Sequence, residues 1–191
     1  MRTFIAIELT PDSQAALTKL QAQLKATLPP NMVRWTAVPT IHLTLHFLGE
    51  IESKQVATVA EAMQASAATM PAFTLQIAQL GCFPNLTKPR IVWVGVAGEV
   101  PLLQQLQLDL GRRLQTAINF QPESRAYSPH LTLGRVKDGV TPSALRQLGQ
   151  AIESRHLGHL ADLPVTALTL MQSELRPSGP IYTPLAHGAL G

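Results

Sequence analysis

Two short segments carry the side chains of this sequence that are best suited to chemistry. The tetrapeptide His-Leu-Thr-Leu occupies residues 42–45 and again residues 130–133, 88 residues later. Successive side chains of a strand point to opposite faces, so each copy places its His and Thr on one face and its two Leu on the other. We therefore predict that His42 and His130 form a two-histidine acid/base site at a cleft, with Thr44 and Thr132 beside them.

Paired imidazoles and hydroxyls suit displacement at phosphorus. A neutral imidazole can take a proton from the attacking water or hydroxyl, while an imidazolium gives a proton to the leaving oxygen. Histidine, with a pKa near ~6.5, can fill either role at neutral pH. The threonine hydroxyls can donate hydrogen bonds to the non-bridging phosphate oxygens, where negative charge must be stabilised. A cyclic phosphodiester fits such a site because one small substrate can lie between two opposed acid/base groups.

Other site chemistries have weaker support in the sequence. His42 and His46 are four residues apart, which matches helical zinc spacing, but the segment IHLTLHFLG has the character of a strand. Cys82 is the only cysteine, and no carboxylate repeats beside the two motifs. Neither a glycine-rich phosphate loop nor a Gly-x-Ser-x-Gly segment occurs. We therefore expect no metal, no cofactor, no nucleoside triphosphate chemistry and no serine nucleophile.

The elements that must position these residues follow the same order in each half of the chain. The pattern predicts strand, helix, strand, helix, strand, which indicates an internal duplication and two α/β lobes with mainly antiparallel sheets around a central cleft. One motif strand from each lobe would face that cleft. The predicted strands are 2–9, the two motif segments, 73–80, 90–96, 165–172 and 182–186; the predicted helices are 12–28, 53–67, 100–116 and 141–157; and residues 81–89 are predicted as a loop.

Length and composition favour one α+β domain over residues 1–191, formed by two interleaved lobes. The 191 residues are 46% hydrophobic, which suffices for a sizeable core. A single cysteine permits no internal disulfide, and no stretch approaches the ~18 apolar residues of a membrane span. We expect a cytoplasmic protein, a monomer without membrane association. The net charge of +3 is compatible with an anionic ligand but too small to indicate extensive binding to a nucleic-acid duplex.

The segments around the motifs resemble a known family across almost the whole chain. They are RTFIAIEL, VRW, IHLTLHFLGE, GCFPNLTKPRIVWVGV, SPHLTLGRVK and SELRPSGPIYTPL. The paired H-x-T motifs are similar to those of the two-histidine phosphoesterase superfamily. The flanking segments resemble its RNA 2′,3′-cyclic phosphodiesterases, also called 2′-5′ RNA ligase-like proteins.

The resemblance implies a metal-independent enzyme with a bilobal fold and a pseudo-twofold cleft, which opens RNA 2′,3′-cyclic phosphate ends to 2′-phosphates. It implies that His42 is the general acid for the leaving 3′ oxygen and that His130 is the general base for water. It makes Thr44 and Thr132 the phosphate-binding residues. Two further positions match family positions near the substrate: these are Phe47 and Arg135.

Three functions remain open at this level. The first is RNA cyclic phosphodiesterase activity, with slow reverse ligation that forms 2′-5′ bonds. The second is an RNA- or nucleotide-binding module without turnover, although a pure binder has no need of two proton-transfer groups. The third is an esterase of the same superfamily for another substrate, such as ADP-ribose 1″,2″-cyclic phosphate or a 2′-5′ oligonucleotide. Four arginines could line the cleft or could be solvated surface charges: Arg34, Arg90, Arg125 and Arg176.

Overall fold

The computed structural model describes residues 1–177 and 179–191. Along the chain, helices separate single strands or runs of two or three strands, and one-turn 3₁₀ segments precede and follow the first motif strand. In chain order the elements are β1 (Arg2–Glu8), α1 (Pro11–Thr27), β2 (Val33–Trp35), β3 (His42–Glu50), α2 (Val56–Ala67), β4 (Phe73–Phe83), β5 (Ile91–Gly98), α3 (Val100–Ile118), β6 (His130–Val136), α4 (Pro142–Glu153), β7 (Ala161–Val165), β8 (Ala167–Arg176) and β9 (Gly179–Ala189).

The strands form two antiparallel sheets, which confirms the predicted α+β class. Sheet 1 has the strand order β3-β1-β8-β9, and sheet 2 has the order β2-β6-β5-β4-β7. Apart from the edge strand β2, the two orders correspond strand for strand. The motif strands β3 and β6 therefore occupy equivalent places, each paired with the strand that begins its half of the chain, β1 or β5.

Helices and sheets are exchanged between the two halves. Helix α1 follows β1 of sheet 1 but packs against sheet 2, where Ser13 Oγ donates to the carbonyl oxygen of Asp162 at 2.8 Å. On the same helix, the buried Gln21 side-chain amide donates to the carbonyl oxygen of Leu133 in β6 at 3.0 Å. Conversely, α3 follows β5 of sheet 2 but packs beside α2 and against β3. Each motif strand is therefore supported by a helix from the other half of the sequence.

The faces that meet these helices form the core. On sheet 1, Ile5 and Leu43 are fully buried, and on sheet 2, Val92, Val94 and Leu131 are as well. The two leucines of each motif belong to this core, as the alternation of apolar and polar residues predicts. The opposite faces of the sheets carry the motif histidines and threonines. No helix in residues 1–177 and 179–191 is long and apolar enough to cross a membrane.

The predicted starts of helices α1 and α4 agree with the structure, but the predicted end of α4 is wrong. Thr10 and Thr141 cap α1 and α4, because each side chain accepts a hydrogen bond from a backbone N–H three residues later. Helix α4 ends at Glu153 rather than at residue 157. The carbonyl oxygen of Leu157 accepts from the N–H of Gln79 at 3.3 Å, so this segment already runs beside β4.

Strand β7 is absent from the predicted elements, and β4 is longer than predicted. Proline donates no backbone hydrogen bond, so Pro164 makes the sequence of β7 look unlike a central strand. Strand β7 lies at the edge of sheet 2, where proline is tolerated. Strand β4 continues to Phe83, within the segment predicted as a loop, because residues 80–83 pair with β5. This extension matters for the site, since it delivers the Phe83 ring to His130.

We expect Gly149→Ala to lower the free energy of unfolding by about 1–3 kcal/mol, the usual cost of overpacking. A Cβ atom at Gly149 in α4 would overlap the backbone carbonyl oxygen of Leu86 in the β4–β5 loop. This clash opposes the gain of ~1 kcal/mol that alanine otherwise gives in a helix. Chemical denaturation measures the change, and Gly158→Ala, with no atom within 4 Å of its Cβ, is the control. Equal stability of the two variants would contradict the close contact between α4 and the loop.

Candidate active site

His42 begins β3 and is held in one orientation by three neighbours. Its Nδ1 lies 2.9 Å from the carbonyl oxygen of Thr40. The imidazole stacks on Phe4 of β1, with ring centroids 4.5 Å apart and an interplanar angle of 19°. Tyr182 of β9 meets the same imidazole edge-on at 5.1 Å. Phe4 and Tyr182 pack with Ala6 and Met171 into a small apolar cluster, so the ring rests on a rigid surface of sheet 1.

His130 begins β6 and is held in a closely similar way. Its Nδ1 lies 2.7 Å from the carbonyl oxygen of Ser128, again two residues earlier in the chain. The ring meets Phe83 of β4 edge-on, with centroids 5.0 Å apart. Phe83 in turn packs against Trp93 of β5 at 5.2 Å. Both motif histidines are half-buried.

The two backbone contacts decide which ring nitrogen is available for chemistry. A carbonyl oxygen only accepts hydrogen bonds, so Nδ1 of His42 and Nδ1 of His130 must each carry a proton. Nε2 is then the atom that gains or loses a proton when either ring titrates. Within residues 1–177 and 179–191, neither Nε2 atom has a hydrogen-bond partner in the protein. Each imidazole can therefore act as acid or base without losing its anchor.

A β-bulge in each motif strand changes which residues share the histidine face. Thr44 pairs with Ala6 but His46 pairs with Ile5, so Leu45 is the extra residue of β3. Strand β6 has the same irregularity at Leu133. After the bulge, the alternation of faces resumes one position later. Phe47, five residues after His42, therefore lies on the face of His42, and Arg135, five residues after His130, lies on the face of His130. Phe47 is 55% exposed.

The bulge in β3 also turns His46 away from His42. The His46 Nε2–H donates to the carbonyl oxygen of Gln107 in α3 at 2.8 Å, and the ring meets Phe120 edge-on. Burial lowers the pKa of His46, while the hydrogen bond to Gln107 opposes that shift. His46 is thus a packing residue between sheet 1 and α3. The two histidines that suggest zinc by their spacing lie on opposite faces of the strand.

Strands β3 and β6, which carry the two motifs, are in contact with each other. The Tyr127 hydroxyl, three residues before His130, donates to the carbonyl oxygen of Thr44 at 3.0 Å, and its burial raises the pKa of Tyr127. The Thr44 and Thr132 hydroxyls are half-buried and have no hydrogen-bond partner among the described residues. They are therefore free to donate to a ligand in the cleft.

Glu8 influences His42 through charge. The two residues are cross-strand neighbours in β1 and β3. Burial lowers the pKa of His42, while the hydrogen bond to Thr40 and the charge of Glu8 act in the opposite direction. The Glu8 carboxylate accepts a hydrogen bond from Thr169 at 2.7 Å, and Thr169 also contacts His187 Nδ1 at 3.0 Å.

The remaining candidates occupy different surroundings. Arg90 forms an ion pair with Asp138 at 3.6 Å, and Arg176 forms one with Glu174 at 2.9 Å. Arg125 is exposed in the segment before β6, and Arg34 lies directly opposite Arg135 in the β2–β6 pair.

Sequence reasoning missed the aromatic supports Phe4, Phe83 and Tyr182 as well as Glu8. The sequence could have indicated Phe4 and Glu8, because they lie two residues to either side of Ala6 and so share one face of the first strand. It could not have indicated Phe83, since this residue falls in a segment with loop composition.

One family model matches the chain twice. The model described as LigT-like phosphoesterase matches residues 7–93 and residues 95–182. The two matches start 88 residues apart, which is also the separation of His42 and His130. Each match therefore contains one His-Leu-Thr-Leu segment at an equivalent position, as expected for a duplicated unit.

Curated relatives and solved structures cover most of the chain. A protein of Aeropyrum pernix named RNA 2′,3′-cyclic phosphodiesterase is 33% identical over 144 residues, which are 75% of this chain and 78% of the relative. A protein of Methanothermobacter thermautotrophicus with the same name is 30% identical and covers 96% of this chain and 95% of its own length. A solved structure from Thermus thermophilus superposes with a TM-score of 0.81 at 26% identity, covering 100% of this chain and 98% of its own. The structure of E. coli LigT complexed with 3′-AMP has a TM-score of 0.77 at 27% identity, covering 99% and 97%.

Proposed function

Because the chain belongs to the LigT-like phosphoesterase family, we propose that it hydrolyses RNA 2′,3′-cyclic phosphate ends to 2′-phosphates by His-His acid/base catalysis. The observation that carries the proposal is the matched anchoring of His42 and His130. Each ring fixes its Nδ1 proton on a carbonyl oxygen two residues earlier and leaves Nε2 for proton transfer. The names of the curated relatives supply the substrate class.

The proposed reaction is an in-line attack of water on phosphorus. Nε2 of His130 takes a proton from the water as its oxygen bonds to phosphorus. The bond from phosphorus to the 3′ oxygen breaks, and Nε2–H of His42 protonates that oxygen. The products are a 3′-hydroxyl and a 2′-phosphomonoester. His130 is then protonated and His42 neutral, and proton exchange with water restores both. When a 5′-hydroxyl takes the place of water, His130 accepts its proton, its oxygen bonds to phosphorus, and His42 again protonates the departing 3′ oxygen; this slow ligation leaves a 2′-5′ bond.

His42 must be protonated to act as the acid, although its burial favours the neutral form. The bound phosphate resolves this conflict, because a nearby negative charge raises the pKa of an imidazole. Glu8 acts in the same direction before the substrate arrives. Thr44 and Thr132 then donate to the non-bridging oxygens, while Phe47 and Arg135 hold the ribose and its attached groups.

A direct test incubates the purified protein, in EDTA, with an oligoribonucleotide that ends in a 2′,3′-cyclic phosphate. We expect a 2′-phosphate product, identified by phosphorus NMR or by chromatography against authentic standards. Binding without turnover would favour the RNA-binding alternative. A dominant 3′-phosphate would show that the acid and base roles are exchanged or that the substrate binds in the reverse orientation. Loss of all activity on chelation would contradict a metal-independent reaction.

Glu8→Gln should lower kcat/KM on the alkaline limb of its pH profile. On this limb the rate falls with the fraction of free enzyme in which His42 is protonated, and burial already lowers the pKa of His42 below 6.5. Removing the Glu8 charge removes one of the two opposing influences, so His42 loses its proton at still lower pH. Thermal unfolding of the variant should be measured in parallel, because Glu8 accepts a hydrogen bond from Thr169. An unchanged alkaline limb would show that Glu8 does not influence the acid.

A further inference from the structure

The two motif histidines have different partners on the neighbouring strand. In sheet 1, the residue directly opposite His42 is Glu8 of β1. In sheet 2, the residue directly opposite His130 is Gly95 of β5. The side chains of opposed residues in an antiparallel pair lie side by side. The duplicated frame therefore gives His42 a carboxylate as its cross-strand neighbour, whereas His130 has a glycine at that place.

A buried threonine holds the Glu8 carboxylate. Thr169 of β8 is 2% exposed, and its Oγ1 donates to Oε2 of Glu8 at 2.7 Å. Glu8 itself is exposed, and an exposed glutamate is free to populate several rotamers. The hydrogen bond removes much of that freedom and keeps the carboxylate on the sheet face that carries His42.

His187 of β9 fixes the direction of the threonine hydroxyl. A hydroxyl has one proton to donate, and Thr169 donates it to Glu8. The 3.0 Å contact between Thr169 Oγ1 and His187 Nδ1 is therefore a hydrogen bond in which Nδ1–H donates. The two residues are cross-strand partners, and the carbonyl oxygen of His187 accepts from the Gln64 side chain of α2 at 3.0 Å. The hydrogen bonds thus run in one direction, from His187 through Thr169 to Glu8.

A glycine occupies the place in sheet 2 that corresponds to the anchoring threonine. Two steps across sheet 1, from β3 through β1 to β8, lead from Thr44 to Thr169. The same two steps across sheet 2 lead from Thr132 through Trp93 to Gly81. A Cβ atom at Gly81 would overlap the Trp93 indole, so this place admits no side chain. Where sheet 1 has a carboxylate and its anchor, sheet 2 has two glycines.

Glu8 is also the negative charge that acts on His42. Burial lowers the pKa of His42, and the charge of Glu8 opposes that shift. The other titratable groups around this pair belong to β1, β6 and β9; they are Arg2, His130, Arg135, Tyr182 and His187. The arginines are positive, and burial raises the pKa of Tyr182, so its phenol is neutral where imidazoles titrate. Of these groups, Glu8 is the one that favours an imidazolium at His42.

We infer that Thr169 and His187 are positioning residues, which hold the Glu8 carboxylate beside His42 and thereby make His42 the acid and His130 the base. This inference rests on the proposed function, and it explains how two equivalent histidines of a duplicated frame acquire different roles. A general acid must carry a proton when the substrate binds, and a fixed negative neighbour stabilises that form. A base must be neutral, and the glycines around His130 provide no such neighbour.

The test follows the titration of both imidazoles by NMR of their Cε1 protons, in the whole protein and without substrate. Glu8→Gln removes the charge, and Thr169→Val removes the anchor while it retains the side-chain volume. We expect both variants to move the titration of His42 to lower pH, by about twofold to fivefold in the protonation equilibrium, the usual size of an exposed charge pair. The His130 signal should titrate as in the wild type. Because Thr169 acts through Glu8, adding Thr169→Val to Glu8→Gln should cause no further change.

Two variants of His187 test the other end of the hydrogen-bond chain. His187→Ala removes the donor to Thr169 and should move the His42 titration in the same direction as Thr169→Val, by a smaller amount. Asparagine can place an amide N–H close to the position of Nδ1, so His187→Asn should restore the wild-type titration. His187 is exposed, so neither change disturbs the core.

Thr3→Val is the matched control for Thr169→Val. Thr3 is a buried threonine of the same sheet, on the face away from His42, and its hydroxyl has no hydrogen-bond partner among the described residues. It should leave both titrations unchanged. If Thr169→Val lowers the melting temperature but leaves the His42 titration as in the wild type, Thr169 has only a structural role and the inference is overturned.

An unchanged His42 titration in Glu8→Gln, or a further change when Thr169→Val is added to it, would also overturn the inference. Hydrolysis of a cyclic-phosphate-ended oligonucleotide is measured separately. A wild type that hydrolyses nothing, but whose His42 responds to Glu8→Gln and Thr169→Val as expected, would contradict the proposed function and confirm the positioning of Glu8. An active enzyme whose His42 does not respond would contradict the positioning alone.

Discussion

Replacing either His42 or His130 by alanine is expected to lower kcat/KM for a cyclic phosphate by at least ~10²-fold, the usual contribution of one general acid or base. Each change removes the Nε2 atom that its motif supplies for proton transfer. Because the two imidazoles act in one step, the double variant should lose much less than the product of the two single losses. Steady-state hydrolysis of a cyclic-phosphate-ended oligonucleotide measures all three variants.

A loss of activity must be separated from a loss of structure. His42 stacks on Phe4, so His42→Gln, which retains a polar side chain of similar length, should be tested beside His42→Ala. His46→Gln is the complementary control, because His46 packs on α3 and faces away from the cleft. We expect His46→Gln to reduce stability and to leave the turnover of the folded protein largely intact. Full activity of His130→Ala would rule out the proposed base.

The sequence predicted the architecture where local pattern and tertiary contacts agree. The capped starts of α1 and α4 depend on residues within one turn, so they can be recognised locally. The end of α4 depends on Leu157 reaching a distant strand, and β7 depends on an edge position that accepts Pro164. Such contacts join residues far apart in the sequence, so no local pattern reveals them. The packing of α1 on sheet 2 and of α3 on sheet 1 also depends on contacts between residues far apart in the sequence.

The site was predictable in its motifs but not in its surroundings. The repeated H-x-T pattern named four residues, because strand alternation alone places His and Thr together. Strict alternation also places His46 beside Thr44, and only the bulge at Leu45 turns it into the core. The same bulge brings Phe47 to the histidine face. The residues that support the rings, Tyr182 and Phe83, come from strands distant in sequence, and only the fold identifies them.

Threonine variants test the second half of the motif. We expect Thr44→Val and Thr132→Val each to lower kcat by about 10²-fold, the usual cost of removing one donor to an oxygen that gains negative charge. Valine has nearly the same shape as threonine, so each variant removes the hydroxyl and retains the side-chain volume. Serine at either position keeps the donor and should retain most of the activity. Single-turnover measurements with a cyclic-phosphate-ended oligonucleotide separate this effect from product release.

Thr3→Val supplies the matched control for this experiment. Thr3 is buried on the core face of β1, and its hydroxyl has no hydrogen-bond partner among the described residues. Removing a buried hydroxyl without a partner should preserve or raise stability, because its desolvation cost disappears. It should not change kcat, since Thr3 points away from the cleft. If Thr44→Val and Thr132→Val behave like Thr3→Val, the motif threonines have only a packing role and the phosphate must be bound by other groups. A large loss in both, with rescue by serine, requires two hydroxyl donors at the phosphate, one from each half of the duplicated chain.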